Sequence, residues 1–451
     1  MEKLTAKQLI DTVIRNDYCS GCGVCSATGN SPFSMRLDEN GRYFPVLKPK
    51  APVDASIVCP FASHQVNEND LARKYFKNLH HDDHLGYVRK TYVGHVIERD
   101  YRQKGSSGGL VTWLTDELLK DNRVDFVLHV KETGRIHPRF QYDTSASHEE
   151  ARKGRKSKYY PVSMDEVLRF VRNNEGRYAI VGIPCFMKGI RLLQEAEGVF
   201  AKRIKFLISI FCGHLKTTHY SKALISQFGV KDDEVKHVDF RHKMPGRKVT
   251  DYGTRIVLNN GKEMVKPNKE LFGTDWGWGL FKLKACDFCD DVVGEVADIS
   301  VGDAWLPEFE HDWQGTNAVI TRNFDLDRLI TRAAGQGRLH LQEVEPGRIT
   351  ESQFSGFRHK REGLAYRLYS EQKKGHWIPK KRVQPEFISN KKRRKIYEIR
   401  VRLRQRSFYS KNYENPPRLK NEILPLVKKL NKLYRHSLWT RIRLKIKSFF
   451  K

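Results

Sequence analysis

The stretch YAIVGIPCFMKGIRLLQEAEGVFAKRIKFLISIFCG, residues 178–213, decides the fold class of this chain. An apolar run that indicates a strand ends just before Cys185, and residues 187–197 then place apolar side chains at helical spacing. A second strand-like run, 204–211, ends just before Cys212. Two adjacent strands that are joined through one helix run parallel, because the helix crosses over the sheet. The sequence therefore predicts an α/β or α+β fold.

Two cysteines follow these predicted strands, at the edge where ligands bind in open α/β sheets. If the strands are neighbours, about 4.8 Å apart, Cys185 and Cys212 lie close together. Cys286 and Cys289 form a C-x2-C pair in a later segment and would complete a set of four thiolates. A second cluster site and a group of ordinary buried core cysteines are equally good interpretations of this spacing.

A denser group of cysteines lies near the N-terminus, in CSGCGVC at residues 19–25. The chain has eight cysteines and no secretory signal, which favours metal binding over disulfides. Cys19, Cys22 and Cys25 have the spacing of a bacterial ferredoxin run, whose next cysteine is replaced here by Gly29. A separate Cys59-Pro60 supplies a fourth thiol, so we predict one [4Fe–4S] cluster on these four cysteines. Zinc and inert thiols are the alternatives, and zinc normally uses paired C-x2-C units.

Three further segments are candidates for contact with a phosphate-bearing cofactor. KGSSGG, 104–109, comes directly before the helical pattern of 110–120. This position favours either an anion-binding site at the N-terminus of the helix or a plain turn with a Ser N-cap. It is neither a Walker motif nor a G-x-G-x-x-G fingerprint. The basic loop 152–158 has two interpretations: it binds phosphate groups, or it is a solvated part of the surface. Asp303 lies at the end of a strand-like run. Its carboxylate either binds a ribose or an amide group of the cofactor, or it caps a turn.

Charge is concentrated in one part of the chain. The net charge is +29, yet residues 355–451 hold 30 Lys and Arg against 6 Asp and Glu, which leaves only +5 for residues 1–354. A protein that binds nucleic acid would spread this charge over its folded body, so we do not expect nucleic acid as a partner. No stretch approaches the roughly 20 apolar residues that span a bilayer, and no signal peptide begins the chain. We expect a soluble, cytoplasmic protein.

The basic C-terminal tail interleaves cations with apolar side chains. Pro416-Pro417 and Pro425 are predicted to separate it into two helical pieces. Three interpretations of the tail are open: a segment that lies on an anionic membrane surface, a segment that binds nucleic acid, and a solvated extension. Trp439, Phe449 and Phe450 favour the first interpretation, a peripheral position at the inner face of the membrane.

Seven segments of the chain, taken together, are characteristic: CSGCGVC, KGSSGGLVTWL, GRKSKYY, VGIPCFMKGI, FCGH, DFRHKMPGR and CDFCDDVVGEVADISVGDAW. In content and order they resemble the coenzyme F420 hydrogenase/dehydrogenase β-subunit family, and the resemblance covers roughly residues 15–310. That family includes β subunits of deazaflavin-reducing hydrogenases and dehydrogenases, ferredoxin-dependent reductases of chlorophyll metabolism, and bacterial members associated with exopolysaccharide synthesis. Its members carry FAD and one or two [4Fe–4S] clusters.

The resemblance implies a second cluster on Cys185, Cys212, Cys286 and Cys289. His214, beside Cys212, is the candidate proton donor. This chain departs from the family in three places: it lacks a second full ferredoxin run, has Cys-Gly-His where Cys-His-Gly is usual, and has Leu306 where Gly follows Asp-x-Trp. The residues implied to lie near FAD are Ser106, Ser107, Gly108, Gly109, Lys156, Ser157 and Lys158, with Asp303 as a further candidate.

The resulting prediction is an iron–sulfur flavoprotein oxidoreductase in three parts. Residues 1–85 form a ferredoxin-like [4Fe–4S] domain, 86–354 a mixed α/β catalytic domain with flavin and second cluster, and 355–451 a basic helical extension. Electrons pass from ferredoxin or a similar donor through the clusters and FAD to an organic or sugar-linked substrate, or to coenzyme F420, with a role in polysaccharide biosynthesis. The alternatives are a non-enzymatic iron–sulfur electron carrier and a nucleic-acid-binding protein with a structural cluster.

Overall fold

An eight-stranded mixed sheet forms the centre of the protein, whose computed structural model describes residues 4–62 and 66–434. The strands are β1 Leu4–Thr5, β2 Phe33–Leu37, β3 Tyr43–Leu47, β4 Ser56–Ile57, β5 His80–Asp82, β6 Gly86–Val88, β7 Lys90–Val96, β8 Phe126–Glu132, β9 Phe140–Ser145, β10 Tyr178–Gly182, β11 Ile204–Ile210, β12 Val235–His242, β13 Gly253–Leu258, β14 Glu263–Pro267, β15 Ile299–Asp303, β16 Asn317–Thr321 and β17 Leu339–Glu343. The central sheet has the order β17-β7-β16-β15-β11-β10-β8-β9.

Helices cover this sheet and extend beyond it. They are α1 Ala6–Leu9, α2 Val24–Ala27, α3 Glu68–Phe76, α4 Tyr101–Lys104, α5 Leu110–Lys120, α6 His148–Arg152, α7 Asp165–Asn173, α8 Pro184–Ala196, α9 Gly198–Arg203, α10 Thr218–Ile225, α11 Lys284–Asp287, α12 Phe324–Gly335, α13 Pro346–Ser352, α14 Phe354–Lys360, α15 Glu362–Lys373, α16 Lys391–Phe408 and α17 Pro416–Tyr434. A π-helix, Ile10–Ile14, directly follows α1.

Four parallel strands, β8, β10, β11 and β15, lie at the middle of the sheet, and antiparallel strands flank them. β10 and β11 are direct neighbours, with Ile180 opposite Leu207. The predicted strand–helix–strand unit is therefore confirmed, and so is the mixed α/β class. Because β10, β11 and β15 are parallel, their carboxyl ends meet at one edge of the sheet.

Local sequence accounts for two helices that pack against the central sheet, α8 and α5. α8 begins at Pro184, earlier than the helical spacing alone predicts, because proline is well suited to the first turn of a helix. Cys185 therefore lies in the first turn of α8 rather than in a loop. α5 spans Leu110–Lys120, as predicted, and buries Trp113 and Leu114 against the sheet.

The N-terminal segment is small and packs against distant parts of the chain. It contains two antiparallel strand pairs, β1 with β4 and β2 with β3, and the loop that carries the first cysteines lies between β1 and β2 in the chain. Leu9 and Phe33 share one apolar core with Phe288 and with Leu364 of α15. The N-terminal and C-terminal segments therefore help to bury each other's apolar surface.

The C-terminal segment contributes buried cations to the body of the protein. Lys360 of α14, Arg367 of α15, Lys381 and Arg404 of α16 are buried. The sequence assigns the charge of residues 355–451 to an extension, but these side chains are enclosed by the body, where Arg367, Lys381 and Arg404 lie beside buried carboxylates. Part of the excess charge is therefore internal, and the division into three domains stays a prediction.

The proline prediction for the tail was partly wrong. Two helices are present, and Pro416 and Pro417 begin the second, α17, but Pro425 lies inside α17 rather than between two helices. Trp439, Phe449 and Phe450, on which the membrane interpretation rests, lie outside the described residues. Within residues 4–62 and 66–434, no helix combines the length and the hydropathy that crossing a membrane requires.

Candidate functional site

Cys19, Cys22, Cys25 and Cys59 line one cavity. All four are free cysteines. The loop between them depends on two glycines with left-handed backbone, Gly21 at φ +74° and Gly23 at φ +83°. A Cβ on Gly23 would lie 2.3 Å from Ser163 Oγ, so no larger residue fits there without movement.

The walls of this first cavity are mostly apolar. They include Leu9, Val13, Val24 and Phe61. Burial raises the pKa of the Cys19 thiol to about 12, and of the remaining three thiols as well. A thiol in such surroundings becomes a thiolate when a positive centre offsets the cost of burying its charge, as iron does in a cluster.

Cys185, Cys212, Cys286 and Cys289 line a second cavity. Cys185 comes from the start of α8, Cys212 follows β11, and the last two come from α11 and the loop after it. The structure therefore brings together four thiols that are up to 104 positions apart in the chain. These four are also free cysteines.

Polar and charged groups surround the second set of thiols. The Leu215 N–H donates to Cys286 Sγ at 3.2 Å, and Lys360 Nζ donates to Cys289 Sγ at 3.6 Å. Burial raises the pKa of Cys286 to about 11 and that of Cys212 to about 12. The second cavity thus differs from the first in having a buried ammonium group in its wall.

The two cavities are neighbours, since Ser20 and Phe61 line both of them. In the part of the chain that the structure describes, no group of three or more Cys, His, Asp and Glu side chains converges closely enough to hold one metal ion. A [4Fe–4S] cluster needs a wider arrangement, because each thiolate binds a different iron. At both places, four thiols line one cavity, and four is the number of thiolates that such a cluster takes.

His214 lies between the second cavity and an aromatic group. It lines the cavity, and its ring centroid is 4.4 Å from that of Trp276. Its Nε2 is buried without a hydrogen-bond partner among the described residues, and burial lowers the pKa of His214 well below the usual range. The ring is therefore neutral near pH 7.

The two loops that we predict to lie near a flavin are in contact. The Ser157 N–H donates to Ser106 Oγ at 2.8 Å. Ser107 Oγ donates to the Thr316 carbonyl at 3.1 Å. A Cβ on Gly108 would lie 2.6 Å from Asn317 Oδ1, so glycine is required where this loop crosses the sheet edge.

Cations cluster beside these loops. Lys156 Nζ lies 2.9 Å from Asp239 Oδ2, while Lys243 Nζ donates to the Ser107 carbonyl at 2.9 Å. Burial lowers the pKa of Lys158 and of Lys243 to about 7. Across residues 4–62 and 66–434, neither Lys158 nor Lys243 has a carboxylate within 4.0 Å; Lys158 donates to the carbonyls of Gly154 and Arg155, and Lys243 to those of Arg102 and Ser107.

Asp303 holds an arginine for which the sequence alone predicts no role. Arg241 Nη1 donates to Asp303 Oδ2 at 2.7 Å, and its guanidinium lies 4.8 Å from the Tyr252 ring centroid and 5.6 Å from that of Trp305. Arg241 and Lys243 both belong to DFRHKMPGR, one of the seven segments that carry the family resemblance. The high content of basic residues in that segment is the sequence signal that could have identified both.

Comparison with known families identifies the chain. The profile described as "Coenzyme F420 hydrogenase/dehydrogenase, beta subunit N-term" matches residues 91–169, and the corresponding C-terminus profile matches residues 175–347. Together they cover more than half of the chain. The protein belongs to the coenzyme F420 hydrogenase/dehydrogenase β-subunit family, which confirms the resemblance seen in its sequence.

Characterised relatives are distant. The chain is 22% identical over 351 residues to the coenzyme F420-dependent sulfite reductase of Methanocaldococcus jannaschii, a match that covers 74% of this chain and 49% of the relative. It therefore spans about half the length of that relative. It is 24% identical over 272 residues to the β subunit of coenzyme F420 hydrogenase in Methanothermobacter thermautotrophicus, covering 58% of this chain and 88% of that protein. These relatives are named as an oxidoreductase and as part of one.

A solved structure confirms the fold. A chain of the F420-reducing [NiFe] hydrogenase complex from Methanosarcina barkeri superimposes with a TM-score of 0.50 and 16% identity, covering 65% of this chain and 96% of that chain. At this identity the likeness concerns the fold alone.

Proposed function

We propose that this protein is an oxidoreductase that passes electrons through two iron–sulfur clusters to a bound flavin. The observation that carries the proposal is the pair of adjacent cavities, each lined by four free cysteines and sharing Ser20 and Phe61. Electrons tunnel efficiently only between neighbouring centres, so a second cysteine set directly beside the first favours electron transfer over a structural role.

The thiols of the two cavities fit the clusters in number and surroundings. Cys19, Cys22, Cys25 and Cys59 would hold one cluster, and Cys185, Cys212, Cys286 and Cys289 the other. Apolar side chains line both cavities, among them Phe61, which is 3% exposed. Exclusion of water protects a cluster and helps to set its potential.

The loops at the carboxyl edge of the sheet fit the diphosphate of FAD. Lys158 and Lys243 have only backbone carbonyls, and no carboxylates, as partners among the described residues. The Ser106–Ser157 contact joins loop 104–109 to loop 152–158, and Lys243 is tied to the first of these loops through the Ser107 carbonyl. Arg241, held by Asp303, adds a fixed guanidinium. A bound flavin would supply the ability to exchange electrons singly with the clusters and in pairs with an organic substrate.

His214 remains our candidate for placing a proton. Its neutral ring lies between the second cysteine cavity and Trp276, so one ring nitrogen can donate and the other accept. A role in proton transfer predicts that His214→Gln slows substrate reduction while leaving cluster and flavin content unchanged.

Anaerobic purification followed by iron, sulfide and flavin assays tests the proposal. We expect about eight irons and one flavin per chain. Cys59→Ser and Cys212→Ser form a matched pair, and each should remove about half of the iron and a different electron paramagnetic resonance signal. A colourless protein without flavin contradicts the proposal, as does a protein from which either variant removes no iron.

The electron donor and the substrate follow from the resemblance. We propose ferredoxin or a similar carrier as donor, and an organic substrate or coenzyme F420 as acceptor; the role in polysaccharide biosynthesis and the membrane contact of the tail remain predictions. Flavin reduction by reduced ferredoxin, by reduced F420 and by NADH, compared in one assay, distinguishes the donors. Reduction by NADH alone contradicts the proposed ferredoxin and F420 chemistry.

A further inference from the structure

We propose that Lys360 raises the reduction potential of the cluster held by Cys185, Cys212, Cys286 and Cys289, so that electrons pass from the first cysteine cavity to the second. This inference rests on the proposed function, because it requires clusters at both sites. It assigns a role to a residue that lies beyond the family matches at 91–169 and 175–347.

Lys360 reaches the cysteine cavity from the last residue of α14. It is 2% exposed and belongs to the lining of the second cavity. Its Nζ donates to the Asp291 carbonyl at 2.6 Å and to Cys289 Sγ at 3.6 Å. The ammonium group therefore lies directly against one of the proposed cluster ligands.

The charge of Lys360 is not paired with a carboxylate in the part of the chain that the structure describes. Within residues 4–62 and 66–434, no Asp or Glu oxygen lies within 4.0 Å of its Nζ. The nearby Asp291 carboxylate instead accepts the N–H groups of Val293, Gly294 and Glu295, at 2.7–2.9 Å. A buried ammonium is costly unless an anion lies beside it, and the thiolates of a loaded cluster supply that anion.

Two other cations near the second cavity, Lys381 and Arg382, do have carboxylate partners. Lys381 Nζ lies 3.4 Å from Asp290 Oδ1, and Arg382 pairs with Asp290 and Glu295. The lining of the first cavity contains no lysine or arginine among the described residues. Lys360 is therefore a cation whose charge is directed at thiols rather than at carboxylates, and it distinguishes the second cavity from the first.

The direction of the effect follows from electrostatics. Reduction adds one negative charge to a cluster, and a cation in a low-dielectric site stabilises that charge. Net charge and hydrogen bonds to the sulfurs are established determinants of cluster potential. Lys360 supplies both, so the second cluster should be the easier of the two to reduce.

Potentiometric titration of the full-length, anaerobically purified protein tests this role. Lys360→Met and Lys360→Gln should make the second cluster harder to reduce, by roughly tenfold in the reduction equilibrium, which is about 59 mV for one electron. The potential of the first cluster should not move. Lys360→Arg keeps the charge and should stay close to wild type, as should Lys373→Met, which alters an exposed lysine of α15.

The outcomes separate this inference from the proposed function. If wild-type protein shows no second cluster signal that depends on Cys212, the proposed function fails. If that signal is present and its potential is unchanged in Lys360→Met, only the role of Lys360 is wrong. If Lys360→Met and Lys360→Gln lose the second cluster while Lys360→Arg keeps it, the second cluster depends on the positive charge of Lys360, which supports the inference. Loss of the cluster in all three variants contradicts it.

Discussion

The two cysteine cavities are alike in thiol number but differ in how the chain builds them. The first takes three of its thiols from seven consecutive residues, 19–25, and has largely apolar walls. The second collects thiols from α8, β11 and the region of α11, and receives Lys360 from α14. A local loop can form one site almost alone, whereas the other exists only when distant elements have packed.

The largest effect is expected from breaking the support of the second cavity. Arg382→Met takes one cation from Asp290 and Glu295, which are 0% and 1% exposed at the side chain and keep Lys381 and Arg361 as partners. Removing one partner of a buried ion pair typically costs about 3–5 kcal/mol. Because Lys381 and Arg361 remain, we expect a fall of about 3 kcal/mol in the free energy of unfolding, measured by chemical denaturation, with loss of the second cluster before the first.

The solvent-exposed Arg406 of α16 provides the control. Arg406→Met should change the free energy of unfolding by less than about 0.5 kcal/mol. Equal destabilisation by the two variants would mean that the buried ion pairs are not what joins the C-terminal segment to the second cavity.

A smaller effect, confined to the first cavity, is expected at Gly23. Gly23→Ala puts a Cβ 2.3 Å from Ser163 Oγ at φ +83°, which costs about 1–2 kcal/mol in the backbone alone. We expect this variant to lose the first cluster and keep the second, as measured by iron content and paramagnetic resonance. Gly213→Ala, beside Cys212 but with nothing within 4 Å of its Cβ, should keep both.

The smallest effect is a change in pH dependence at the flavin loops, where buried cations again lack carboxylates among the described residues. Burial lowers the pKa of Lys158 to about 7, below its value in the unfolded chain. Between that pH and roughly 10.4, the unfolded state binds more protons than the native state, so stability rises with pH. Lys158→Met should flatten this rise in flavin-free protein, as measured by denaturation at pH 7, 8.5 and 10. An unchanged slope would show that Lys158 is charged throughout.

Much of the fold and of the candidate site could be predicted because the signals are local. The parallel pair β10–β11 follows from apolar runs of strand length, and α5 from helical spacing. Cys19, Cys22 and Cys25 are recognisable by their close spacing. Pro425 was misjudged because tertiary contacts hold α17 together across a residue that weakens an isolated helix.

The sequence by itself determined the class of fold, the family and the identity of the eight thiols, because strand periodicity and close cysteine spacing act over a few residues. Only the tertiary structure decided that the two thiol sets share a wall at Phe61, and that the basic C-terminal segment sends Lys360 into one of them. Burial and charge pairing depend on which distant residues pack together, and neither composition nor spacing carries that information.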